Sequence, residues 1–233
     1  MRPATLALSL AALALPSRAR ADGEAWLQFE YRLPVVRTPT PAWPRVDVRF
    51  YSETRLAGRA DGLNETFLRV GPLVYPTRWL FVAAHATAQS GRGSTGQHFF
   101  EFRAELEPNL FGRLGPVTFN DRNRVEMRWR EAGVRWRYRN QLRVAYQPEG
   151  ARVFPFLWDE VLFDLSSLPV GASVTGFQQN RASVGLSVQL HPNVRFDVAY
   201  LLRSRREAAT ATEPERWEHD HGAVIALFID APR

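Results

Sequence analysis

The chain of 233 residues contains no cysteine and no lysine. The first absence excludes disulfides, thiolate metal sites, cysteine nucleophiles and a lipidated N-terminal cysteine. The second means that all 30 basic residues are arginine. A GC-rich genome produces that bias by itself, but its physical consequence holds whatever the cause. Arginine stays charged and presents a planar fork of donors that pairs two-to-two with carboxylates. No apolar run approaches the roughly 20 residues of a spanning helix. No convincing helical period, domain linker or low-complexity tract interrupts the chain. Basic tails and patches are absent too. The formal charge of +6 falls to +3 once Arg2, Arg18 and Arg20 of a removable leader are set aside, and the rest is interleaved with acids. A nucleic-acid partner is therefore not expected.

That leader is MRPATLALSLAALALPSRARA. A basic residue, an apolar run from Thr5 to Leu15 and a small-x-small end at Ala19-Arg20-Ala21 form a secretory signal peptide. The expected organisation is a signal peptide at 1–21 and one domain at 22–233. Export without a helical anchor leaves periplasm, medium or outer membrane.

What the mature chain has is alternation. In VRWRYRNQLRV (134–144), Arg135, Arg137, Arg139, Gln141 and Arg143 occupy every second position, with Val134, Trp136, Tyr138, Leu142 and Val144 between them. A period of two is a strand, whose side chains leave on opposite faces. The same pattern recurs at 25–33, 45–53, 98–106, 123–130, 181–190 and 194–202, and GAVIALFI (222–229) closes the chain. Residues 65–71 and 78–87 read as a hairpin joined through Pro72 and Pro76. FPFLWDEVLF (154–163) is mostly apolar and its phase is open, although Glu160 is expected inward. Stretches 34–44, 55–64, 89–97, 165–176 and 204–219 have loop composition.

A soluble sandwich also alternates, but its strands average about 5–6 residues and its inward face is aliphatic. Here the apolar faces are rich in aromatics, the polar faces are dense in Arg and Glu, and 134–146 alternates unbroken. A membrane-spanning barrel strand needs about 9–11 residues with an apolar outside and a polar lumen. The expected fold is all-β: a single antiparallel transmembrane β-barrel. Eleven strand segments can be counted. Because single-chain bacterial barrels have even strand numbers with both termini in the periplasm, about twelve strands are expected, with ten as the alternative. The expected location is the bacterial outer membrane.

Charges excluded from lipid must find partners inside. The expected lumen-facing residues are Arg124, Arg128, Arg135, Arg137, Arg139, Arg143 and Arg181 with Glu101, Glu105, Glu126 and Glu160. Glu101 and Glu105 are expected near Arg124 and Arg128, and Glu126 near Arg135 or Arg137.

RNRVEMRWR, VRWRYRNQLRVAY, WDEVLFDL and QNRASVGLSVQLHPNVRFDVAYLLRSR together resemble a family of proteobacterial outer-membrane barrels catalogued as a domain of unknown function. The resemblance spans 45–229. Its strongest points are the Arg-x-Arg strand at 135–143, Glu160 before Phe163, Asn180-Arg181 and Tyr200. It implies an outer-membrane barrel and no particular activity.

Among candidate chemical groups, His219 and His221 flank Asp220. On a strand both imidazoles would share a face and could suit a metal; a polar loop is the plainer reading, and no metal or other cofactor is expected. The same cluster could imitate an omptin-like Asp–His pair. His85 and several serines exist, but no spacing marks a nucleophile. An arginine-lined lumen favours anions. The functional expectation is a narrow anion-preferring pore or a structural envelope protein. An outer-membrane hydrolase acting on lipid or peptide and a soluble periplasmic β-protein are the alternatives. Expected partners are outer-membrane lipid and lipopolysaccharide, the barrel-assembly machinery, and small anionic solutes.

Overall fold

The computed structural model describes residues 23–35, 45–57, 63–92, 97–131, 133–166, 175–207 and 216–231. The expected signal peptide lies outside the described residues, as do parts of the five expected loop stretches.

Eleven strands form one sheet: β1 (Glu24–Pro34), β2 (Arg45–Ala57), β3 (Leu63–Thr77), β4 (Leu80–Arg92), β5 (His98–Leu114), β6 (Val117–Arg130), β7 (Gly133–Tyr146), β8 (Val153–Asp164), β9 (Gly176–His191), β10 (Val194–Glu207) and β11 (Arg216–Asp230). Each pairs with its sequence neighbours, and β1 closes onto β11 to make a barrel. The all-β barrel is as expected, with a difference in count and closure. A meander of eleven strands leaves the first and last running the same way, so the seam is parallel, from Glu24↔Gly222 to Arg32↔Asp230. β1 and β11 therefore both start at one rim and both end at the other, instead of the chain entering and leaving together. A Cβ on Gly222 would sit 2.7 Å from the Glu24 carbonyl oxygen, so the seam closes tightly only over glycine.

Strand lengths of 11 to 17 residues exceed those of ordinary sheets. Pro72 and Pro76, expected to join a hairpin, instead lie inside β3, and the turn falls at Arg78–Trp79. The β3–β4 pairing skips both prolines, which have no N–H to give. Gly71 beside them is obligatory, because a Cβ there would fall 1.9 Å from the Ala84 carbonyl oxygen. Short turns at Arg78–Trp79, Gly115–Pro116 and Pro192–Asn193 mark the rim where β1 and β11 end, called here the turn rim.

The barrel is inverted relative to a water-soluble protein. Leu27, Phe29, Phe50, Leu68, Phe100, Leu106, Trp136, Leu157, Leu186 and Ile225 stand exposed on the outside. Arg49, Arg69, Glu101, Arg103, Glu105, Glu107, Arg124, Glu126, Arg139 and Glu160 are buried inside. The outer face of β6–β9 breaks the apolar belt. There Asn140 donates to Asp121 (2.6 Å) and Asn123 (3.1 Å), Tyr138 donates to Asn123 (2.5 Å), and Asn180 donates to Asp159 (2.9 Å). These groups satisfy one another, which lowers the cost of leaving them outside.

The phase of β8 is settled by the barrel. Phe154, Phe156, Trp158, Glu160, Leu162 and Asp164 point inward. Phe154, Phe156 and Trp158, with Trp26, Ala145, Ala199, Leu201 and Val224, give the lumen an apolar sector. A second sector is Leu73, Tyr75, Phe81 and Ala83 with Phe111.

Candidate functional site in the lumen

Alternation puts the odd residues of β5 and β7 and the even residues of β6 inside, so carboxylates and guanidiniums face each other across adjacent strands. Glu101 is fully buried, receives two hydrogen bonds of 2.8 Å from Arg128, and also binds Arg103 and Arg130. Glu107 binds Arg124 and accepts from Arg49 at 2.9 Å. Glu105 lies 2.8 Å from Arg69 and 3.5 Å from Arg124. Glu160 accepts from Arg122 (2.7 Å), Arg139 (2.8 Å) and Arg181 (2.9 Å). Glu53 accepts from Arg55 at 2.6 Å and from Gln28 at 3.0 Å. Few of these charges have a private partner. Sharing offsets the several kcal/mol that each ion costs to desolvate, and it makes the interior one connected lattice.

All eleven lumen candidates lie on inward positions, and they fall in three places. Arg124, Arg139, Arg181, Glu105, Glu126 and Glu160 are knitted together at mid-height. Glu101, Arg128, Arg135 and Arg137 lie toward the rim opposite the turns, where Arg137 binds Asp164 at 2.8 Å and Arg135 pairs in register with Arg128. Arg143 lies nearer the turn rim, 3.0 Å from Asp197. Glu101 does bind Arg128 and Glu105 does approach Arg124. Glu126 lies opposite Arg137, as expected, but its hydrogen bond goes to Arg139 at 2.9 Å. Arg137 is its register partner on one side but has Asp164 directly opposite on the other. The carboxylate therefore takes the diagonal arginine.

The lattice also contains residues outside the eleven candidates: Arg49, Glu53, Arg55, Arg69, Arg103, Glu107, Arg122, Arg195 and Asp197. The signal was present. Extending the alternation one residue past 98–106 and one before 123–130 adds Glu107 and Arg122. The polar faces of 45–53 and 194–202 already hold Arg49, Glu53, Arg195 and Asp197.

The lumen is not uniform along its axis. From the turn rim to mid-height runs a cavity of about 1090 Å³. Among its described lining residues are fourteen arginines against five carboxylates, together with Trp26, Phe81, Phe111, Phe156, Trp158 and Phe228. Arg45, Arg143 and Arg195 sit over aromatic rings, with guanidinium carbons 3.7 Å from the ring centre of Tyr75, 3.7 Å from that of Phe156 and 4.1 Å from that of Phe228. Beyond mid-height the space is filled by Glu101, Arg128, Leu162, Asp164 and Leu201, all at most 5% exposed.

The histidine cluster is not a loop but the start of β11. His219 and His221 face outward, where His219 meets Ser204 at 2.9 Å and His221 meets the Tyr200 hydroxyl. Asp220 points the other way and binds Arg203 at 2.7 Å. A Ser–His–Asp relay would need the acid on the same face as the imidazole, and the sheet separates them. His85 is buried among Arg49, Glu105 and Arg69, while Ser183 donates to the Tyr200 carbonyl and Ser187 accepts from Arg143. No group of three or more metal-type side chains converges among the described residues.

A closed, strand-only barrel with an apolar exterior and a salt-bridged interior defines a class, the inverted β-barrels. Within it, the chain belongs to the family described as protein of unknown function (DUF2490), whose model matches residues 23–213. It is also similar to an uncharacterized protein of Methylorubrum extorquens, 27% identical over 243 residues that cover 96% of each chain. No solved structure matches it.

Proposed function

We propose that this protein is an outer-membrane β-barrel whose lumen is sealed rather than conducting, and whose open half is an anion-attracting vestibule. The exposed apolar belt supports residence in lipid, since a patch of a few hundred Å² is already large for a water-exposed surface. The carrying observation is the axial asymmetry. Charged side chains fill the lumen past mid-height, while fourteen arginines and five carboxylates line the cavity on the other side, with Asp47, Glu105 and Glu107 pairing four of those arginines from behind the lining. Rings of arginine raise the local concentration of anions. Short turns belong to the periplasmic rim of such barrels, so the vestibule faces the periplasm. The lattice also supports the structural role considered for an envelope protein, because it rigidifies the barrel from within.

The test is paired. Protein extracted from outer membranes should migrate differently boiled and unboiled, and planar bilayers containing it should carry no steady current. Recovery from a detergent-free periplasmic extract would defeat the membrane reading. A steady, anion-selective current would replace the seal with a narrow pore, and Arg135→Ala/Arg139→Ala should then reduce that selectivity.

A further inference from the structure

One wall of the vestibule carries more positive charge than its own acids can match. On β6–β10, Arg122, Arg139 and Arg181 converge on the single carboxylate of Glu160. Nearer the rim, Arg143 and Arg195 share Asp197, at 3.0 and 3.1 Å. Five guanidiniums thus face two carboxylates, and among the described residues Arg139 also binds Glu126. The donors are not exhausted. Arg181 is 5% exposed, yet its Nε has no hydrogen-bond partner, whereas the Nε of Arg195 faces Asp197 at 3.1 Å. Both side chains line the cavity.

Aromatic rings are set among these charges. Arg143 stacks on Phe156 and Arg195 on Phe228. Stacking occupies the face of a guanidinium and leaves its edge donors in the plane, the geometry that grips a carboxylate with two parallel bonds. The cavity, about 1090 Å³, is slightly larger than the usual small-molecule site of about 300–1,000 Å³ and so has room for one.

We propose that this wall binds a small organic anion, a carboxylate carried on an aromatic or apolar body, entering from the turn rim. The carboxylate supplies the missing negative charge between Arg122, Arg181 and Arg143. The body lies along the rings. The inference rests on the vestibule reading and adds the chemical class of its occupant.

The experiment uses the full chain in a non-ionic detergent, titrated calorimetrically with 2-naphthoate, with the neutral 2-naphthylmethanol, and with inorganic phosphate. Saturable binding of 2-naphthoate is expected, with the other two at least about tenfold weaker, since a charge-assisted hydrogen bond contributes that much or more. Arg122→Gln keeps a donor for Glu160 and should weaken 2-naphthoate about tenfold. Asp197→Asn removes the competing carboxylate and should tighten binding, a gain that misfolding does not imitate. If Asp197→Asn does not fold, Arg122→Gln decides alone. Equal affinity for the alcohol would reduce the site to an apolar hollow. Equal affinity for phosphate would make it an inorganic-anion site. Absence of saturable binding, or folded variants that titrate like the parent, would overturn the proposal. Bilayer current and gel mobility test the sealed barrel separately, so a sealed barrel that ignores 2-naphthoate sinks the ligand and not the vestibule.

Discussion

The two halves of this lumen are built from the same two residue types and behave differently. Past mid-height, Glu101 holds Arg103, Arg128 and Arg130 and is fully buried. Toward the turn rim, Arg113 donates to the carbonyls of Gly115 (2.9 Å) and Gln147 (2.8 Å) and remains exposed. The contrast shows that an arginine–carboxylate pattern alone does not make a pore or a plug. What decides is how closely the side chains interlock. Past mid-height, Arg103 and Arg128 close over a shared carboxylate and are buried beside Leu162 and Leu201. Toward the turn rim the lining arginines leave a cavity open, where an anion is attracted.

The largest effect should come from breaking backbone closure, which both halves need. Gly71→Val would drive a side chain into the Ala84 carbonyl, and loss of the unboiled fast-migrating species is expected. Next, Glu101→Ala leaves three guanidiniums around a vacated site. Removing one partner from a buried ion cluster costs about 3–5 kcal/mol, which urea unfolding of the detergent-solubilised barrel would register. Arg113→Ala in the open half sharpens the comparison. Its exposed bonds to carbonyls contribute on the order of 1 kcal/mol, so the unfolding midpoint should move little. Smallest is the response to salt. Raising ionic strength from about 0.01 to 1 M shrinks the screening length from about 30 to 3 Å. Uptake of 2-naphthoate should weaken, while the unfolding midpoint, set by the dry lattice, should barely change. A midpoint that fell in parallel with binding would mean that the two halves are equally wet.

Much of the architecture was legible because a strand's period of two is independent of its neighbours. Arg135, Arg137, Arg139 and Arg143 must share a face wherever that strand goes, and the aromatics between them must share the other. That rule assigned the inward residues of β5, β6, β7 and β9. It failed where the pattern was silent. β8 is mostly apolar, so its phase rested on Glu160 alone, which does face inward, and the inward rings of Phe156 and Trp158 that line the vestibule were not read from it. β3 was cut short at its prolines, although proline spoils only the ladder bond it would have donated.

By itself, the sequence determined a strand-only chain without staples, with arginine and glutamate on one side of nearly every strand and grease on the other, since composition and periodicity are local properties. Only the tertiary structure decided the odd count, the parallel seam of β1 with β11, the diagonal choice of Arg139 by Glu126, and the excess of arginine in one half of the lumen. Each depends on which strands lie side by side and at what stagger. Those are long-range quantities, fixed when the sheet closes and every inward charge must find its partners at once.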